Sequence, residues 1–137
     1  MNSVLIILDT PKQWAPYYQT ESVTTALEYL QSTDQSQHSH MVINLCSDFS
    51  YHSLGYYCSL LAQARKHKVI PSIETLNRLD SSKPIKLDSS LVRLCRCNEL
   101  LPADPENGDL HLDLFFGKCE DPKLERLGRF IFDQYPA

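Results

Sequence analysis

Two runs, "SVLIIL" (3–8) and "MVINLC" (41–46), constrain the fold most, because each is almost unbroken in its apolar character. A strand wetted on one face alternates apolar with polar residues. A strand covered on both faces does not, and such strands belong to parallel sheets coated by their own crossover helices. The second run leads into a polar loop, a long helical pattern and a third short apolar run, "VINLCSDFSYHSLGYYCSLLAQARKHKVIPS" (42–72). That β–loop–α–β order is how α/β proteins build nucleotide and phosphate sites. The pattern predicts one three-layer α/β domain over 1–137, Rossmann-like or flavodoxin-like, with a mainly parallel sheet. Strands are expected at 3–8, 41–46, 68–71 and 110–116, and helices at 22–31, 54–67, 73–79 and 122–134. Strand order is left open.

Local signals differ in strength. Val23, Ala26, Leu27 and Leu30 repeat at helical spacing behind two possible caps, Thr20 and Ser22. Leu54, Tyr57, Cys58, Leu61 and Ala64 form the stripe of the central helix, and Arg65 to Lys68 place positive charge at its end, where the helix dipole favours it. In "LHLDLFF" (110–116) Leu110, Leu112, Leu114 and Phe116 face one way and His111 and Asp113 the other, as in a strand near a sheet edge. Asp121 and Pro122 open the last helix, whose stripe is Leu124, Leu127, Ile131 and Tyr135. Between 80 and 109 the pattern fixes no element, and "LVRLCRC" fits helix or strand equally.

Composition narrows the function. With 13 Lys and Arg against 17 Asp and Glu, the net charge is −4, which argues against a general nucleic-acid binder. No apolar run approaches the roughly 20 residues of a membrane span, and the first residues lack the basic start of a signal peptide. A cytoplasmic protein is expected. The five cysteines are then reduced and packed as small hydrophobes. Cys95 and Cys97, with His111 as a possible third ligand, do not have zinc-knuckle spacing, and no metal is expected in this domain.

Two loops attract attention as ligand sites. The first, after strand 3–8, carries Asp9, Lys12 and Trp14, followed by Tyr17 and Tyr18. Loops at the carboxyl ends of parallel strands are where open α/β sheets place ligands, though the aromatics equally serve as a lid on the core. The second holds Ser47, Ser50, Tyr51, His52 and Ser53 ahead of the central helix. Its free N–H groups would favour an anion, Asp48 would oppose one, and Ser50 or Ser53 can equally cap the helix. Neighbouring serines, His52 and Asp48 do not by themselves make a nucleophilic triad, which is a spatial arrangement. In the last helix Phe130 and Phe132 fall outside the apolar stripe. With Tyr135 they form a candidate face for a partner or another domain.

Three segments, "DTPKQWAPYY", the 42–72 stretch and "FFGKCEDPKLERLGRFIFDQYPA", resemble the N-terminal domain of RimK-like ATP-grasp proteins over about residues 4–136. The resemblance implies a pre-ATP-grasp type of α/β domain that leads into a carboxylate–amine ligase module of the same chain. ATP and magnesium would belong to that module, and no cofactor to this domain. The parent would be an ATP-dependent, glutamate-type ligase, and this chain alone would not catalyse ligation. A small carboxylate, amino acid or peptide would be the substrate, bounded on one side by the two loops. The sequence departs from the family pattern in two places. Ser47, Asp48, Phe49 and Ser50 stand where arginines are frequent, and Lys66 where a glycine is common. Two other readings stand beside this one: a free-standing small-ligand or anion-binding module, and a protein-interaction domain using the terminal aromatic helix.

Overall fold

A computed structural model of the protein describes residues 3–15, 20–33, 41–80, 89–97 and 112–137. The chain divides into two compact units, Met1–Asp80 and Ser81–Ala137.

The first unit is an α/β fold built on an all-parallel four-stranded sheet. Its strands are β1 (Val4–Leu8), β2 (Val23–Thr25), β3 (Met41–Asn44) and β4 (Lys68–Ile70), in the spatial order β2-β1-β3-β4. The register pairs Leu5 with Val42 and Val42 with Val69, and Ile7 with Asn44, so these residues share one face. On that face Ile7, Val42 and Val69 join Ala26, Tyr29, Cys46, Cys58 and Ala62 in a single buried cluster. Each fully buried aliphatic side chain there contributes about 1.5–3 kcal/mol relative to exposure. Helices α1 (Ala26–Gln31) and α2 (Leu54–Ala64) pack on this core and on each other, and α3 (Ile73–Leu79) packs on α2.

The order β2-β1-β3-β4 reproduces the first four places of the flavodoxin-like arrangement. The chain leaves β1 to one side for β2 and returns to the other side for β3. The gap between the carboxyl ends of β1 and β3 is therefore the switch point of the topology. Only a short 3₁₀ turn (Pro11–Trp14) is described between β1 and β2.

The expected helix at 22–31 splits. Val23, Thr24 and Thr25 form β2, as β-branched residues favour, and α1 starts afterwards. Neither Thr20 nor Ser22 caps it. Thr25 does, accepting from the Glu28 amide while the Glu28 carboxylate accepts from the Thr25 amide at 3.0 Å. The central helix stops at Ala64, three residues early, because Lys66 adopts a left-handed φ of 61°. Lys66 N–H then reaches Gln63 O and His67 N–H reaches Ala62 O, which is a Schellman motif. Its basic residues lie at and just beyond the cap rather than inside the last turn. Arg65 is the cap residue, donating to the Ser32 carbonyl and stacking 5.0 Å over the Tyr29 ring.

The α2 stripe is also rotated from expectation. Of the expected stripe, Cys58 is buried and Leu61 packs against the core, but Leu54, Tyr57 and Ala64 are exposed, and Gly55, Ser59 and Ala62 are buried instead. Small side chains let the helix approach the sheet closely, and bulky ones are turned away. Asn44 and Ser59 form a buried polar link inside this contact. Asn44 Nδ2 donates to Gly55 O (2.8 Å) and Ser59 Oγ (3.0 Å), and Ser59 donates to Pro71 O (2.8 Å). β3, α2 and the end of β4 are thereby tied at one point.

In the second unit "LVRLCRC" lies within helix α4 (Ser89–Cys97), which packs on α5 (Glu125–Gln134). The terminal helix starts with a 3₁₀ turn, Pro122–Leu124, capped by Asp121 through the Lys123 amide. The strand expected at 110–116 is not formed over its described part, 112–116. Burial does alternate from Leu112 to Phe115, but the only pairing is a bridge between Phe115 and Lys118 across a tight turn. An extended segment resting on a helix gives the same alternation as a ladder: Leu114 packs on Gly128 of α5. The start of this segment, and all of 98–110, lie outside the described residues.

Candidate functional site

The topology brings Asp9 and Ser47 together at the switch point. Asp9 follows β1 and Ser47 lies three residues beyond β3, yet Asp9 Oδ2 accepts from the Ser47 amide at 2.8 Å and the Ser47 hydroxyl at 2.7 Å. Gln13 completes the knot, donating to the same oxygen at 3.3 Å and accepting from the Asp9 and Thr10 amides. The Ser47 hydroxyl, its amide and Gln13 hold the Asp9 carboxyl below the usual carboxylate range. Asp9 is therefore an ionised acceptor at neutral pH and a poor general base.

The loop over α2 is equally self-contained. The Ser50 hydroxyl and amide lower the Asp48 pKa, with the amide 2.8 Å from Asp48 Oδ1. Ser53 is the helix cap: its hydroxyl accepts from the Tyr56 amide and donates to Asp48 O. A Cβ on Gly55 would sit 2.4 Å from Asp48 O and 2.8 Å from Cys46 Cβ, so only glycine admits this fold of the loop. The peptide carbonyl of Asp48 thus lies close over the first turn, where an anion would have to bind.

His52 does not approach a serine. It takes a left-handed φ of 72°, and its Nδ1 lies 2.6 Å from the Tyr57 hydroxyl. Tyr51, His52, Tyr56 and Tyr57 form a surface cluster, with Tyr51 edge-on to both His52 (3.9 Å) and Tyr56 (5.4 Å). Lys12 is exposed and Trp14 half-buried on the 3₁₀ turn, while Tyr17 and Tyr18 lie outside the described residues. The neighbouring Cys58 thiol and burial push the Cys46 thiol up, so it stays protonated.

These contacts give Asp9, Ser47, Ser50 and Ser53 structural partners and bring no nucleophile–base pair together. Magnesium–ATP does not fit this donor set, because one Asp9 oxygen is filled by three N–H or O–H donors and the helix start is capped. Among the described residues no group of three or more His, Cys, Asp or Glu could hold a metal ion. The Cys95, Cys97 and His111 combination rests on side chains outside the described residues. Also among the described residues, no helix is long and apolar enough to cross a membrane.

Phe130, Phe132 and Tyr135 are all half-buried in the second unit. Phe132 has its partner there: it meets the Phe116 ring at 6.1 Å and lies against Gly117.

Three contributors were not singled out in the sequence. Gln13 was legible as the last residue of a Thr-x-x-Gln capping pattern with Thr10. Asn44 and Ser59 carried no signal, since a polar residue inside an apolar run does not announce its partner.

The fold and this site define a parallel-sheet α/β domain whose strand-end loops are locked to each other rather than armed for chemistry. The family model for the RimK-like ATPgrasp N-terminal domain matches residues 26–137, and the chain belongs to that family. No curated protein and no solved structure matches the chain.

Proposed function

We propose that the chain is the non-catalytic N-terminal domain of a RimK-like ATP-grasp carboxylate–amine ligase, positioning the catalytic module and lending one wall to its substrate cleft. The observation that carries this reading is the family match over residues 26–137, which takes in both the β3–α2–β4 segment and the terminal helix. The self-satisfied Asp9–Ser47 knot supports a shaping role for the strand-end loops. A wall needs fixed loops, and this carboxylate fixes two of them without offering a base. ATP and magnesium are assigned to the ligase module, and a small carboxylate, amino acid or peptide to the cleft beside Asp9, Ser47 and Tyr51. The test is the coding sequence beyond residue 137. An ATP-grasp segment is expected there, and a stop codon directly after Ala137 would sink the reading.

A further inference from the structure

The turn Phe115–Lys118 is built against the preferences of its own sequence. Phe115 N–H donates to Lys118 O at 2.8 Å and Lys118 N–H to Phe115 O at 3.1 Å, closing a two-residue hairpin. Both central residues have positive φ, 52° for Phe116 and 80° for Gly117, the pattern of a type I′ turn. Gly117 suits it. Phe116 does not, because its Cβ crowds the backbone in the left-handed region, where asparagine or glycine is usual. Strain of this kind persists where the surroundings enforce it, and it gathers at sites of function.

The turn is also held rigidly. Leu114 and the Gly117 carbonyl press on Gly128 of α5, Gly117 lies against Phe132, and the Phe116 and Phe132 rings meet edge to face. This scaffold presents Phe115 with 67% of its surface exposed and Phe116 with 49%. Two adjacent phenylalanines on a rigid tip are an apolar patch, not the scattered exposure normal for a surface. Residues 112–137 as a whole carry four basic and five acidic side chains. An aromatic pair on a segment without basic excess suits a protein partner. An anionic membrane or a nucleic acid would call for a basic rim.

We infer that the Phe115–Phe116 tip is the surface through which this domain docks its ATP-grasp module. The inference rests on the functional reading above and moves the docking face from Phe130, Phe132 and Tyr135 to the turn that Phe132 supports. The family match supplies the occupant: it names an N-terminal domain of ATP-grasp proteins, and it covers both this turn and α5.

The test uses the longer gene product carrying Phe115→Asp or, separately, Phe116→Asn. Asparagine tolerates the left-handed turn, so the second variant removes a ring without forcing the hairpin open. Both variants are expected to keep the parent's circular dichroism while trypsin cuts between the two modules about tenfold faster, as befits loss of a central anchor. Parent-like cleavage in both variants overturns the docking surface alone. A gene product with no ATP-grasp segment overturns the functional reading and this inference together. A stable dimer of residues 1–137 that Phe115→Asp dissolves overturns it as well, since the occupant would then be a second copy.

Discussion

The switch point of the first unit and the aromatic tip of the second solve opposite problems. At the switch point the carboxylates and the capping serine have partners nearby: Asp9 has Ser47 and Gln13, Asp48 has Ser50, and Ser53 has the helix start. At the tip a phenylalanine occupies a backbone conformation that disfavours it, and its neighbour is left in water. Self-satisfaction produces shape, and unsatisfied apolar surface produces association. The difference teaches that the region most like a ligand site by topology is the better finished as structure.

The comparison breaks most sharply at Gly55. Alanine there drives a Cβ into the Asp48 carbonyl, an obstacle of backbone that cannot swing aside. Gly55→Ala should cost about 3 kcal/mol, the upper part of the overpacking range. Trp14 is the only tryptophan and lies in the first unit, so its fluorescence in urea reads that unit directly. Asn44→Leu comes next. It removes the buried donor to Gly55 O and Ser59 Oγ and the acceptor of the Cys46 amide, which should cost about 2–3 kcal/mol by the same probe.

Asp9→Asn is smaller, about 1 kcal/mol, because the carboxylate is mostly exposed and screened. Its pH signature is more telling. The folded-state pKa is lowered, so below the ordinary value of 3.8 the unfolded chain binds the proton first. The stabilisation is complete above that value and is lost as pH falls through the folded pKa. Acid urea titrations should show this loss in the parent and a flatter profile in Asp9→Asn. Lys66→Gly relieves a left-handed lysine and should raise stability by about 0.5–1 kcal/mol. Phe116→Asn should leave stability within about 0.5 kcal/mol, as relieved turn strain offsets the lost edge contact with Phe132. Hydrogen exchange of the second unit would detect a larger change.

Much of this was readable in the residues themselves. The unbroken runs at 3–8 and 41–46 marked parallel strands, but the double cover that unbroken runs imply is only partly formed: β3 alternates between buried Val42 and Asn44 and half-buried Met41 and Ile43, and Val4 is exposed. Asp121 and Pro122 marked the last helix start because few residues serve there. The family was visible in the 42–72 stretch and the terminal helix. Other features depended on contacts the sequence does not show. β2 was hidden because Val23 also fits a helical repeat, and three residues are too few to establish a period of two. The α2 face is legible at Cys58 and Leu61 but not at Gly55, Ser59 and Ala62, because the sequence marks bulky apolar residues and the close helix–sheet approach selects small ones. At 112–116 alternation was genuine, but its cause was Gly128 on a helix and not a neighbouring strand. Asp9 and Ser47 were both singled out, yet a bond across 38 positions cannot be read from either loop.

Hydroxyl-radical footprinting of Phe115 and Tyr51 in one sample, on residues 1–137 and on the longer gene product proposed above, tests the contrast most directly. Without substrate, Tyr51 should be oxidised equally in both, while oxidation of Phe115 should fall about fivefold or more where the proposed ATP-grasp module excludes water from the tip. Equal oxidation of Phe115 in both proteins, or protection of Tyr51 in its place, would contradict the account.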